Sequence, residues 1–146
     1  MTPDEVQEFL TANTVLQVAT IGRDGWPHVA PMWYVMDGDR VVFRSFTKSQ
    51  KIVNLQRNPR FTVLVETGDD YSQLQGVMIT AEAQLVTDAD YVLSIYGALA
   101  AKYPMINNTP TPKKEMPDAQ NIACCDCCIS SYSSTGIPVK PIVTSG

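Results

Sequence analysis

Val15-Leu16-Gln17-Val18-Ala19-Thr20-Ile21, Asp24-Gly25, Pro27-His28-Val29-Ala30-Pro31-Met32-Trp33-Tyr34-Val35-Met36, Asp37-Gly38 and Arg40-Val41-Val42-Phe43-Arg44-Ser45 follow one another along the chain and decide its fold. Val15 to Ile21 is rich in β-branched residues, which suit a pleated, half-buried strand. Asp24-Gly25 is a hairpin signal, because a tight turn needs residues that tolerate positive φ. Pro27 to Met36 reads as a second strand. Pro27 and Pro31 put it at an edge or a bulge, since proline has no N–H for a ladder. Beyond Asp37-Gly38, Arg40 to Ser45 reads as a third strand.

Outward from this block the period changes. Thr2-Pro3-Asp4-Glu5 is a capping box with proline at the first helical position. Val6, Phe9 and Leu10 follow at helical spacing, and the helix should end near Asn13. On the other side, Ser49 can cap a short helix that buries Ile52, Val53 and Leu55, and Asn58-Pro59 stops it. Phe61 to Glu66 is a fourth strand, Gly68-Asp69-Asp70 a solvated loop, and Gln75 to Val86 a long fifth strand. Thr87-Asp88-Ala89-Asp90 caps a further helix with Val92, Ile95, Tyr96 and Leu99 on one face, ended by Pro104. The expected fold is mainly β with short helices, a small β-barrel over residues 1–104. Residues 105–146 are rich in Pro, Ser, Thr and Asn without clear period, and read as an extended or disordered tail. Ile137 to Val143 is a weak strand candidate there. A small barrel is nearly filled by its own side chains, so a large ligand belongs on its outside or at a subunit interface.

The chain has 146 residues, 45% hydrophobic and 18% charged, with a formal net charge of -4. That suits one domain and lacks the basic field of a nucleic-acid binder. No apolar run is long enough for a membrane span, and the acidic opening is unlike a secretory signal. All four cysteines fall in Cys124-Cys125-Asp126-Cys127-Cys128. The rest of the chain has no disulfide framework, which favours a reducing, cytoplasmic setting. Cysteines this crowded cannot easily surround one metal tetrahedrally, so free thiols are expected and no metal site.

Chemistry points to Arg44-Ser45-Phe46-Thr47-Lys48-Ser49-Gln50-Lys51, where a strand end runs into a helix start. The first turn of a helix carries unpaired N–H groups and a partial positive charge, which favour a phosphate. Lys48 and Lys51 add charge, and the hydroxyls of Thr47 and Ser49 add donors. Without glycine it is not a P-loop. Read plainly, a serine there is only a cap and the lysines are only solvated.

Three stretches resemble the pyridoxamine 5'-phosphate oxidase-like split-barrel superfamily, above all its actinobacterial deazaflavin (coenzyme F-420)-dependent branch. They are Ala19-Thr20-Ile21-Gly22-Arg23-Asp24-Gly25-Trp26-Pro27-His28, Pro31-Met32-Trp33-Tyr34 and Lys48-Ser49-Gln50-Lys51-Ile52-Val53-Asn54-Leu55. The resemblance runs from about Val6 to Tyr103. It implies a split-barrel homodimer with cofactor sites at the interface. It puts the cofactor along Ala30, Pro31, Met32 and Trp33, and its phosphate at Ser45, Lys48, Ser49 and Lys51. Flavin-using oxidases of this superfamily often have arginine where this chain has Gln50 and Ala30, so the resemblance implies coenzyme F-420 before flavin mononucleotide (FMN). The implied function is hydride transfer from reduced deazaflavin to an unsaturated small molecule. The alternatives are an FMN-dependent enzyme and a non-catalytic carrier of flavin, deazaflavin or haem. The resemblance also implies a further strand after Pro104, which is not recognisable in the sequence.

In this chemistry the cofactor performs the reaction, so no nucleophile or acid–base pair is required, and no catalytic residue is assigned. His28, the one histidine, reads as a surface or satisfied side chain. Trp33 and Tyr34 point to opposite faces, so one belongs to the core and the other can pack beside a ring system. Trp26 is a candidate for covering a dimer seam.

Overall fold

The computed structural model describes residues 1–46, 48–104 and 122–131. Helix α1 (Pro3–Ala12) leads into β1 (Leu16–Ile21), β2 (Pro27–Met32), β3 (Tyr34–Asp37) and β4 (Arg40–Arg44). Helix α2 (Gln50–Arg57), β5 (Arg60–Thr67), a single helical turn (Tyr71–Gln73), β6 (Gln75–Val86), α3 (Ala89–Lys102) and β7 (Ile122–Ser131) complete the described elements. The capping box forms as read: Thr2 N–H donates to Glu5 Oε2 at 2.6 Å, and Glu5 N–H to Thr2 Oγ1 at 3.2 Å. Asp88 caps α3 by accepting from the Tyr91 N–H.

The seven strands form one antiparallel sheet in the order β2-β1-β5-β6-β7-β4-β3. Strands β2 and β3 lie at opposite edges, yet Trp33 alone separates them in the chain. Laid flat, those edges would be roughly 29 Å apart at about 4.8 Å per strand step. One residue spans at most about 3.6 Å. The sheet must therefore roll until its edges meet, which makes a barrel split between β2 and β3. The run Pro27 to Met36, read as one strand, is thus two, and it breaks where the chain crosses the split. Pro31 is accommodated because β2 is an edge strand that pairs only with β1.

Rolling brings one face of the strands onto a common core. Leu16, Val18, Tyr34, Val41, Phe43, Phe61, Val63, Val65, Val77 and Ile79 meet there, joined by Val6 and Leu10 of α1 and Ile52 and Leu55 of α2. A second, smaller cluster joins Val35 and Val42 to Val92, Ile95, Leu99 and Tyr103 under α3. Helix α2 differs from expectation at one position. Val53 is 40% exposed, and Asn54 is buried in its place.

The strand not recognised after Pro104 is present. Strand β7 pairs with β6 from Val86↔Ile122 to Val77↔Ser131, and with β4 from Arg44↔Ile122 to Val41↔Cys125. The sequence hid it because Cys124-Cys125-Asp126-Cys127-Cys128 lacks the apolar–polar alternation that marks a half-buried strand. The cysteine run lies inside this strand, and its thiols are outside the described residues. The Ile137 to Val143 candidate also lies outside them. Among the described residues, no helix is long and apolar enough to cross a membrane.

Candidate functional site

The site starts from the alternation of β4. Val41 and Phe43 face the barrel core, and Val42 faces the α3 cluster. Arg44 follows Val42 onto the α3 side, where its guanidinium lies 4.7 Å from the centre of the Tyr96 ring. Burial holds the Arg44 pKa below its ordinary value, and Tyr96 acts in the opposite sense.

Trp33, released from the ladder at the split, stacks on Tyr103 with ring centres 4.9 Å apart and planes 11° from parallel. Tyr103 is fixed by its hydroxyl, which lies 2.7 Å from the Thr14 carbonyl and 2.8 Å from the Tyr34 carbonyl and accepts from the Tyr34 N–H at 3.1 Å. Tyr34 in turn donates its hydroxyl to the Leu10 carbonyl. Lys102 sits 4.0 Å above the Tyr34 ring, and burial pushes its pKa down to about 8.

Beside Trp33, Arg44 and Tyr96 lies a cavity of about 480 Å³, within the size range of small-ligand sites. Pro31, Met32 and Trp33 line it from the end of β2, Arg44 from β4, and Tyr96 and Leu99 from α3, with Val15 ahead of β1.

Arg44 is followed directly by the anion-favouring segment. Ser45 is buried, and its Oγ lies 2.9 Å from Ser49 Oγ. Ser49 occupies the N-cap of α2, but its hydroxyl makes no capping bond there. The expected cap is thus replaced by a hydroxyl pair, and among the described residues the first turn of α2 keeps N–H donors without a side-chain cap. Asn54 anchors this helix to the barrel by donating to Thr20 Oγ1 at 3.0 Å and accepting from Gln50 Nε2 at 2.8 Å. Lys51 is half-buried and its pKa is lowered by burial, whereas Lys48 is exposed. Thr47 is outside the described residues.

Of the residues singled out from the sequence, Pro31, Met32 and Trp33 share the cavity. Ser45 and Ser49 pair beside it in the chain. Ala30 packs against the barrel core instead. Tyr34 is the core member of its pair, and Trp33 lines the cavity. His28, expected to be at the surface or satisfied, is half-buried on β2 with a buried Nδ1 that has no hydrogen-bond partner among the described residues. Trp26 is 74% exposed. Sequence reasoning missed Val15, Arg44, Tyr96 and Leu99 as cavity residues. The available signal was a lone cation closing the apolar run Val41-Val42-Phe43. Among the described residues, no group of His, Cys, Asp and Glu is placed to hold a metal.

A family model for pyridoxamine 5'-phosphate oxidase matches residues 2–122. The chain belongs to the pyridoxamine 5'-phosphate oxidase family. Its split barrel is similar to the crystal structure of Rv2991, a conserved hypothetical protein from Mycobacterium tuberculosis. That match has a TM-score of 0.79 and 26% identity over 100% of this chain and 92% of the other. An F420 reductase matches with a TM-score of 0.65 and 24% identity, over 83% of this chain and 91% of the other. HutZ, a haem storage protein from Vibrio cholerae, matches with a TM-score of 0.66 and 16% identity, over 84% and 88%. No curated protein matches the chain. Members of this family fold thus include both redox enzymes and a haem-storage protein, so the site's own chemistry has to decide between them.

Proposed function

We propose that this protein is an oxidoreductase that holds reduced coenzyme F-420 and directs hydride transfer to an unsaturated small molecule. The observation that carries this reading is the cavity of about 480 Å³ between Trp33 and Arg44, which the chain continues into the Ser45–Ser49 pair and the uncapped start of α2. The donor set fits a phosphate-bearing ring cofactor: hydroxyls, backbone N–H groups and a half-buried ammonium for the phosphate, and apolar and aromatic surface for the ring.

In this reading Ser45, Lys48, Ser49 and Lys51 hold the phosphate. Pro31, Met32 and Trp33 lie along the ring, with Ala30 packed behind them. When bound, the deazaflavin supplies the hydride chemistry. The protein binds, orients and excludes water, with Trp33 and Leu99 as the apolar walls. Gln50 and Ala30, neutral at positions where the superfamily's flavin-using oxidases often have arginine, favour the deazaflavin over FMN. Edge strand β2 exposes Val29 (59%), and Trp33 just beyond its end is 39% exposed, an apolar surface that suits a second copy in a cytoplasmic homodimer.

The test is a side-by-side titration with coenzyme F-420, FMN and haem, followed by turnover with reduced F-420. Lys51→Ala should weaken F-420 binding by about 1.5–3 kcal/mol, the worth of a charge-assisted hydrogen bond. The loss should vanish for the cofactor lacking its phosphate. An equal loss for both forms would remove Lys51 from the phosphate site. Tight binding of FMN or haem in preference to F-420 would overturn the reading.

A further inference from the structure

Arg44 is the charged residue in a lining otherwise made of Val15, Pro31, Met32, Trp33, Tyr96 and Leu99. Its one face is engaged by the Tyr96 ring at 4.7 Å. A stacked guanidinium keeps its in-plane fork of N–H donors, which matches a carboxylate in two parallel bonds. Among the described residues no carboxylate pairs with it, and the group in contact with its guanidinium is the neutral Tyr96 ring. A half-buried cation without a counter-ion is costly, and the cost is offset when a ligand brings the opposite charge. A small hydrated anion would waste the apolar walls, whereas a flat conjugated body buries surface on them.

We infer that this cavity, on its Arg44 and Tyr96 side and beside the ring proposed along Pro31, Met32 and Trp33, takes a flat, conjugated carboxylic acid as substrate, with Arg44 pairing with its carboxylate and so setting specificity. As a substrate assignment this rests on the proposed redox function. A carboxylate could also reach Arg44 from an acidic extension of the cofactor. The apolar lining favours the small conjugated acid, because a flexible, hydrated chain gains little from Trp33 and Leu99.

The test is calorimetric and ligand-observed NMR titration of the full chain, without cofactor, with cinnamate, cinnamamide and N-acetylglutamate. Cinnamate should bind at least tenfold more tightly than cinnamamide, the ratio expected for one charge-assisted pair, and more tightly than N-acetylglutamate. Arg44→Met should bring cinnamate down to the level of the amide. The wild-type ratio needs no variant, so a poorly folding Arg44→Met leaves the test in force. The inference is overturned if cinnamate fails to bind, if acid and amide bind equally, or if N-acetylglutamate equals cinnamate. F-420 binding without acid preference would remove only this inference. Acid preference without F-420 binding would remove the redox reading and leave the carboxylate pocket standing.

Discussion

Tyr103→Phe removes one oxygen atom at the point where the barrel closes. The Tyr103 hydroxyl accepts the Tyr34 N–H at 3.1 Å and lies 2.7 and 2.8 Å from the carbonyls of Thr14 and Tyr34. A hydroxyl has a single proton, so it serves one carbonyl at a time while accepting the N–H throughout. Tyr34 begins β3 immediately after the split and is fully buried, so water cannot replace the lost partner. Leaving a buried N–H unpaired costs about 1–3 kcal/mol, and the lost donation adds about 0.5–1.5 kcal/mol, for roughly 1.5–4.5 kcal/mol in all. The phenylalanine ring keeps the stack on Trp33 and the apolar contacts, so the whole loss is assigned to hydrogen bonding. Urea unfolding should show a lower midpoint with an unchanged slope. A loss under about 1 kcal/mol would refute the reasoning, because the closure would then not depend on this hydroxyl.

Lys102 makes stability depend on pH. Its folded pKa is about 8 and its ordinary value is 10.5, so between these values the unfolded chain binds the extra proton and stability rises with pH. Tyr34 acts oppositely at higher pH, because burial, reinforced by Tyr103, raises its folded pKa and stability declines once the unfolded tyrosine ionises. Lys102→Met should flatten the rise in urea midpoint between pH 8 and 10, and a wild type already flat there would contradict the sign. Asn54→Ala should cost about 2–3 kcal/mol in thermal or urea unfolding, from a lost buried amide and its hydrogen bonds, and should also weaken the phosphate binding proposed at the α2 start. Gly38→Ala, at φ +63 with open space around its Cβ position, should cost about 1 kcal/mol. Gly68→Ala, at φ +111 and blocked by the Gln73 carbonyl, should cost more by the same assay.

Local physics made much of this molecule legible. The capping box at Thr2, the Asp24-Gly25 turn, the edge character that Pro27 and Pro31 impose on β2, and the apolar face of α3 each depend on neighbours in sequence. What escaped depends on pairing at a distance. The break at Trp33 is dictated by sheet order, which no window around Pro27 to Met36 contains. Asn54 is buried instead of Val53 because Thr20 of β1 offers it a partner 34 residues away. Strand β7 is held by β6 and β4 on both sides, so its cysteine-rich sequence needs no strong strand pattern of its own. Arg44 was in view within the phosphate segment, but only α3, folding back over β4, shows that it faces a cavity.

Barrel closure and the candidate site share their parts. Since the chain must cross the split in one residue, that residue leaves the ladder on both sides, and its side chain is placed by packing alone. Trp33 is that residue, and it both lines the cavity and stacks on Tyr103. Tyr103 in turn satisfies the backbone of Tyr34, the next residue in the chain. A change that loosens the closure should therefore move the cavity wall before it unfolds the barrel. In Tyr103→Phe, ligand affinity should fall at urea concentrations where the barrel core is still folded. If affinity and global unfolding instead decline together, the wall is held by the core as a whole, and Tyr103 is not the link between fold and site.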